Sequence, residues 1–308
     1  MEADINSSLK SPTKVNFKGD QNFVSIIVPV YNEEQVIKSI IAQIQKVCLE
    51  SNINFEIIVV DDGSTDQSEK IIRQIDGIRF YQHSQNTGYG SALKTGLRKS
   101  SGNMIVITDA DGTYPVEMIP ELVKNLNEYE MVVGARDRGD KNIAAVRKPM
   151  KWFIGKLANY LSETQIPDLN SGLRAFRKDI AMKFFQMFPN GFSFTTTITL
   201  AMHCNGFDVK YIPIKYGKRV GKSKISPVKD TINFFQLIYC TVMYFNPLKI
   251  FVPMAIIVFL IFMVFTAYDV FILENLTDKT LISFETFVQI SIIGLIADLI
   301  SKRILITK

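Results

Sequence analysis

Two carboxylates one residue apart, Asp109 and Asp111, follow directly on an apolar run that begins at Met104. A strand that ends this way puts both carboxylates at its solvent end and turns Ala110 inward. Carboxylates this close resist ionising together unless a cation lies between them. A hard divalent ion, Mg²⁺ or Mn²⁺, suits oxygen ligands shared between protein carboxylates and a substrate diphosphate. The spacing therefore points to a metal-bridged nucleotide site, although Asp-x-Asp pairs also occur in ordinary loops. Two further apolar runs end in chemistry-bearing residues: Pro29-Val-Tyr31-Asn-Glu33-Glu34 and Val60-Asp61-Asp62-Gly63-Ser64-Thr65-Asp66. Tyr31 can stack on a base, and Asp62 can accept from a base N–H or a ribose hydroxyl. Gly63 admits close backbone approach, and Ser64 or Thr65 can cap a following helix. No glycine-rich turn follows the first run, Gly88-Tyr-Gly90 comes too late, and Gly-x-x-x-x-Gly-Lys-Ser is missing. These absences argue against a conventional dinucleotide fold and a P-loop.

The elements that must position these residues alternate. Strands are expected at Val24 to Val30, Phe55 to Val60, Ile78 to Tyr81, Met104 to Thr108 and Met131 to Val133. Helical spacing of apolar residues runs from Glu33 to Leu49, with further helices at Ser64 to Ile75, Ser91 to Lys99 and Pro115 to Leu126. Strand and helix in alternation predict an α/β fold with a mostly parallel sheet and helices on both faces. Ligands of such sheets bind outside the carboxyl ends of the strands, which is where the three acidic and aromatic runs lie.

The chain has 308 residues, a net charge of +5 and 47% hydrophobic residues. That mild charge gives no case for nucleic acid. Three cysteines without a Cys-x-x-Cys pair (Cys48, Cys204, Cys240) fit a reduced compartment and buried small hydrophobes, not disulfides or zinc. The first 22 residues are polar, lack a signal-peptide apolar core and read as a disordered arm. Hydropathy rises sharply over Ile250 to Leu273 and again over Phe284 to Ile300, with a short linker between. The pattern predicts a transmembrane hairpin. A buried hairpin in a soluble protein is disfavoured, because such runs have no polar face to show water. Lys249 on one flank and Lys302, Arg303 and Lys308 on the other put both ends, and the N-terminal domain, in the cytoplasm by the positive-inside rule. Gly294 and Ala297 could pack between subunits, which leaves a homo-oligomer open.

Taken together, Pro29-Val-Tyr-Asn-Glu33, Val60-Asp-Asp-Gly-Ser-Thr-Asp66, Gly88-Tyr-Gly90 and Asp109-Ala-Asp111 resemble the inverting glycosyltransferase family 2, with its Rossmann-like GT-A fold. More closely, the chain is similar to the polyprenyl-phosphate glycosyltransferases, the dolichol-phosphate mannose synthase group. That likeness extends through Gly134-Ala-Arg136, Asp168-Leu-Asn-Ser171-Gly-Leu-Arg174 and Gly217-Lys-Arg219-Val-Gly-Lys-Ser-Lys224. The implied organisation is an arm (1–22), a GT-A domain (23–226), an interfacial amphipathic helix (227–247) and a transmembrane hairpin (248–308). By resemblance, Pro29, Tyr31, Glu33, the Val60 backbone and Asp62 would hold the nucleoside. Asp109, Ala110 and Asp111 would meet the metal and diphosphate, and Arg136, Arg219 and Lys224 would meet phosphates. Relatives often carry glutamine two residues after the second carboxylate; this chain has Thr113, a shorter and weaker ligand.

The resemblance implies hexose transfer from a nucleotide-diphosphate sugar, UDP-glucose before GDP-mannose, to a polyprenyl phosphate at the bilayer. An acceptor phosphate is already ionised at neutral pH and needs no strong base. Neither histidine, His83 or His203, sits in a motif. Charge handling is the requirement: a metal for the leaving diphosphate and cations for the acceptor. Arg136, with Arg147, Lys151, Ser171 or Arg174, could form that anion site, and Asp168 could orient the acceptor or a sugar hydroxyl. For Arg147 and Lys151, a solvated surface or lipid headgroups is an equally good reading. The Phe192 to Met202 and Ile232 to Phe245 segments could lie at the membrane interface, or be plain core helix. Two rivals stand beside this. A polysaccharide-extending synthase would usually carry Gln-x-x-Arg-Trp, absent around the single Trp152. A catalytically silent nucleotide-binding adaptor would have no use for the Asp109 and Asp111 pair.

Overall fold

The computed structural model describes residues 22–137, 159, 164–191, 193–217, 243 and 246–306. Seven strands form one sheet: β1 (Val24–Val30), β2 (Phe55–Asp61), β3 (Ile78–Gln82), β4 (Met104–Ile107), β5 (Met131–Arg136), β6 (Arg174–Arg177) and β7 (Val209–Ile214). Their spatial order is β3-β2-β1-β4-β6-β5-β7. β1 to β4 are mutually parallel, as are β5 and β7, whereas β6 runs antiparallel to both β4 and β5. The sheet is thus mostly parallel but mixed. β6 and β7 are additions to the five strands expected, because short half-polar runs such as Arg174–Arg177 carry little periodic signal.

Side-chain alternation divides the core between the two faces. Val24, Ile26, Val28 and Val30 of β1 pack with Ile57 and Val59 of β2 on one face, under α1 (Ile37–Glu50) and α4 (Ile119–Asn125). Ile27, Ile105 and Ile107 point to the other face, under α3 (Tyr89–Lys99), α5 (Lys178–Lys183) and α6 (Phe194–Cys204). This is the period-two pattern of strands buried on both sides. Cys48 lies in the first cluster, where burial pushes its thiol up to about 12. Cys204 is half-buried and in no disulfide among the described residues, and Cys240 lies outside them.

Several expectations shift. The first helix begins at Ile37, not Glu33, because residues 31–36 form the loop at the tip of β1. The expected Ser64 to Ile75 helix shrinks to α2 (Ser68–Ile72). Neither Ser64 nor Thr65 caps it: their hydroxyls are spent in the loop, and Asp66 accepts from the Ser68 N–H instead. The segment proposed for the membrane interface is core, since every residue of α6 from Phe194 to Met202 is buried. Its partner segment, Ile232 to Phe245, falls almost wholly outside the described residues, and so does the arm before residue 22.

The chain ends in two long apolar helices, α7 (Leu248–Tyr268) and α8 (Asp278–Ile306). The spans Leu248–Leu273 and Asp278–Ser301 are long and apolar enough to cross a membrane, and few of their residues are buried within the protein. At 1.5 Å per residue each exceeds a hydrocarbon core of about 30 Å. Phe259 and Phe262 pack on Phe287 and Phe284. A Cβ on Gly294 would meet Phe251 at 2.7 Å, so this glycine serves close helix contact within the chain. The turn is tied by Asp269, whose Oδ2 accepts from the Thr277 N–H and from the hydroxyls of Thr277 and Thr280, each at 2.7 Å. A polar group in hydrocarbon must find such partners internally.

Candidate active site

The adjacency of β2, β1 and β4 brings the three acidic strand ends together. Pro29 sits opposite Val60 in the ladder. Pairing between β1 and β4 stops at Ile27 and Ile107, where Thr108 donates to the Ile27 carbonyl. Residue 29 faces the same side as residue 27, so proline's missing N–H falls where β4 has already ended. β1 and β4 are therefore no longer paired beside Asp109, the position at which open parallel sheets place their ligand crevice.

The loops after β1 and β2 are stitched reciprocally. Asn32 N–H donates to Ser64 Oγ at 2.9 Å, and Thr65 N–H donates back to Asn32 Oδ1 at 2.7 Å. Glu34 N–H donates to Asp66, while Gln67 N–H donates to the Glu34 carboxylate. Glu33 uses its backbone N–H on Ser68 Oγ. Asp61 is fully buried and holds the Ser64 amide and hydroxyl; burial raises its pKa against the lowering effect of those bonds.

Asp62 behaves differently from expectation. Its Oδ1 accepts from the Thr87 N–H at 3.0 Å, the Thr87 hydroxyl at 2.9 Å and pairs with His83 Nδ1 at 2.8 Å. Its Oδ2 accepts from the Gly88 N–H at 2.8 Å. The carboxylate thus organises the 83–88 loop rather than pointing open valences at a nucleoside. Nε2 of His83 meets Thr95 Oγ1 at 2.9 Å, so a histidine outside every motif becomes part of the site. Gly63 also has an internal reason: its φ is +70°, and a Cβ there would lie 2.5 Å from the Gln85 carbonyl carbon. The close approach it permits is by the chain's own 85–86 backbone.

At the tip of β4, Asp109 is partly exposed, but Asp111 is only 5% exposed, against the expectation of two solvent-facing carboxylates. Asp111 Oδ1 accepts from the Thr113 hydroxyl at 2.6 Å and the Thr113 N–H at 3.1 Å. Asp109 Oδ1 accepts from the Tyr89 hydroxyl at 2.8 Å. Burial, then the Asp109 charge, push the Tyr89 phenol well above its ordinary value, so it stays protonated and donates. On the other side, a Cβ on Gly172 would lie 2.6 Å from Asp109 Oδ2. That glycine makes room for the carboxylate, and its N–H donates to Tyr114 Oη. The donor set fits a hard divalent ion. Two carboxylates on one tight turn are oriented by neutral hydroxyls, and no described cluster of three or more His, Cys, Asp or Glu residues forms a closed protein cage. Further ligands would come from substrate or water, as in diphosphate sites.

The opposite wall is built around an ion pair. Arg136 donates from Nε to Asp168 Oδ2 at 2.7 Å and from Nη2 to Oδ1 at 2.8 Å, and its backbone N–H joins at 3.1 Å. The guanidinium also lies 5.4 Å over the Tyr216 ring, which meets Tyr114 edge-on. Burial works against the Arg136 charge, but the Asp168 hydrogen bonds outweigh it and hold its pKa above the usual range. Burial raises the Asp168 pKa, but Arg136 outweighs it and leaves the carboxyl below its ordinary value. The two residues expected to act separately are one bidentate unit. Gly217, just after β7, donates its N–H to the Thr113 carbonyl at 2.8 Å, which ties this wall to the Asp111 turn.

Two residues expected at an acceptor phosphate are not there. Arg174 is fully buried; it donates to the Ser171 and Thr195 carbonyls and to Thr199 Oγ1. Ser171, also fully buried, donates to the Gly134 carbonyl. Both hold the 168–174 loop against β5 and α6. Arg147, Lys151, Arg219 and Lys224 lie outside the described residues. Tyr89, Tyr114 and Gly172 were not singled out as site residues in the sequence, although two of them fall inside quoted motifs.

Comparison with known proteins agrees with this geometry. Residues 25–185 match the model for glycosyl transferase family 2, and residues 246–303 match the GtrB C-terminal hairpin. A dolichyl-phosphate hexose transferase of Haloferax volcanii is 29% identical over 206 residues, 66% of this chain and 87% of that protein. An undecaprenyl-phosphate 4-deoxy-4-formamido-L-arabinose transferase of Pseudomonas savastanoi pv. phaseolicola is 30% identical over 242 residues, 74% of this chain and 67% of its own. Among solved structures, glucosyl-3-phosphoglycerate synthase from Mycobacterium tuberculosis, in complex with Mn²⁺, UDP-glucose and phosphoglyceric acid, shares the fold. Its TM-score is 0.57 at 20% identity, over 72% of this chain and 80% of that one. The chain belongs to glycosyl transferase family 2, as a GT-A enzyme with a C-terminal hairpin.

Proposed function

We propose that the enzyme transfers a hexose from a nucleotide-diphosphate sugar to a polyprenyl phosphate at the cytoplasmic face of a membrane. The observation that carries this is the union of a carboxylate crevice at the tips of β1, β2 and β4 with a membrane-length hairpin on the same chain. Relatives matched over 66% and 74% of this chain are named for lipid-phosphate acceptors. UDP-glucose is the favoured donor and GDP-mannose the next.

In this reading Tyr31 and the Pro29 and Val60 backbone flank the nucleoside, with Asp62 and Glu33 shaping the walls. Asp109 and Asp111 would hold the divalent ion, Mg²⁺ or Mn²⁺. Such an ion, when bound, neutralises charge on the departing diphosphate. The chain's own residues do the rest. Asp111 is kept in place by Thr113, and Asp109 by Tyr89. Arg136, clamped on Asp168, presents a fixed cation at the acceptor side, with Arg147, Lys151, Arg219 and Lys224 as further phosphate partners. An acceptor phosphate oxygen attacks the sugar C1 from the face opposite the nucleotide. The C1–O bond to the diphosphate breaks, its electron pair leaves with the nucleotide, and the anomeric centre inverts. No proton has to be removed from the acceptor phosphate, so the step calls for no general base.

The test is a transfer assay with the full-length protein in detergent. Undecaprenyl or dolichyl phosphate is offered with Mn²⁺ and a panel of labelled nucleotide sugars. Label should enter the organic phase from one donor. Folded protein that labels no lipid phosphate from any donor would remove this reading.

A further inference from the structure

The Gly88-Tyr89-Gly90 turn joins the two halves of the crevice. Its glycines are required by packing. A Cβ on Gly88 would lie 2.4 Å from the Asn190 carbonyl oxygen and one on Gly90 2.2 Å from that of Pro189. The Ser91 N–H donates to Asn190 O at 3.0 Å, and Lys94 Nζ reaches Phe188 O and Asn190 Oδ1. The start of α3 is thus fixed from outside by the 188–191 loop. From inside, Asp62 holds Thr87 and the Gly88 N–H. Between these two clamps Tyr89 has a fixed backbone, and its hydroxyl donates to Asp109 Oδ1 at 2.8 Å. Gly172 closes the other side of the same carboxylate.

We infer that Tyr89 is a positioning residue: its hydroxyl sets the rotation of the Asp109 carboxylate, and through Thr87 and Gly88 it couples the Asp62 end of the crevice to the diphosphate end. The inference rests on the reading of Asp109 as a metal and diphosphate ligand. A carboxylate on a turn has a broad χ2, and partners outside the ligand set typically alter metal affinity ten- to a hundredfold. Tyr89 is half-buried and packs on the core of the second face, so its ring would be kept by phenylalanine while the donor is lost.

The experiment titrates Mn²⁺ into full-length protein in detergent with UDP present, following free Mn²⁺ by its paramagnetic resonance. UDP affinity in EDTA and the melting temperature are measured in parallel. Y89F should raise the half-saturating Mn²⁺ about tenfold, with metal-free UDP affinity and melting temperature unchanged. Y89M, which discards ring and hydroxyl together, should show the same shift. Combined with D109N, Y89F should add nothing to the loss caused by D109N alone. An unchanged Mn²⁺ titration in Y89F, a shift in Y89M only, or full additivity with D109N would each overturn the inference. Wild-type protein that binds UDP without any linkage to Mn²⁺ would overturn the functional reading, and this inference with it.

Discussion

The two walls of the crevice treat charge in opposite ways. On the β1–β2–β4 wall, Asp62, Asp109 and Asp111 are held by amides, hydroxyls and one imidazole. On the β5–β7 wall, Asp168 is matched by the guanidinium of Arg136 through two side-chain bonds. Amide and hydroxyl donors orient a carboxylate and leave its charge to act on something else, whereas a bidentate guanidinium and its carboxylate lock each other in place. The first wall is therefore suited to meet a cation, and the second to be a rigid support that shows a fixed positive group. Acidic residues of the same type thus acquire different work from their partners alone.

Substitutions can break this contrast. Asp111→Asn should cut sugar transfer at least about a thousandfold, as expected for loss of charge at a metal-assisted leaving group. Its melting temperature should stay near wild type, since Asp111 has hydroxyl and amide partners that an amide oxygen can still satisfy. A similar loss caused by unfolding would erase the distinction drawn here. On the supporting wall, Arg174→Leu should cost about 3 kcal/mol of stability, because it strips donors from the Ser171 and Thr195 carbonyls. Denaturant unfolding would measure it, and a neutral result would mean Arg174 is not the anchor of the 168–174 loop. Gly172→Ala should lower transfer about tenfold with little change in nucleoside binding, since the new methyl displaces Asp109; isothermal titration with UDP in EDTA separates the two.

The smallest effect expected is on acid stability. Folding lowers the Asp168 pKa below its unfolded value through Arg136. Its contribution is complete above about pH 4 and is lost as the pH falls through the folded value. Melting temperatures should therefore drop more steeply in wild type than in Asp168→Asn as the pH falls below about 4. Parallel curves would show that the ion pair contributes nothing to acid stability.

Much of the first wall is legible in the chain itself. The Val24–Val30 strand has its expected bounds, Pro29 falls on the side of β1 that β4 has left, and the Asp109 pair follows the end of β4. The second wall is obscure. β6 is four residues long, begins with a buried arginine and is antiparallel, so neither period nor burial announces it. Arg174 resembles a phosphate ligand in sequence, and only its carbonyl partners make it structural. His83 lies in no motif, and Tyr89 lies in one that does not announce its task; their roles arise from the contact of β2, α3 and β4 across the fold. The hairpin is the opposite extreme, since hydropathy alone specifies it.

The most direct test offers the full-length enzyme, in detergent with UDP-glucose and Mn²⁺, either undecaprenyl phosphate or undecaprenol. Organic-phase label is read before and after EDTA. The account predicts label only on the phosphate, as the anomer inverted relative to the donor, and abolished by EDTA. Label on undecaprenol, retention of configuration, or transfer that persists in EDTA would contradict it.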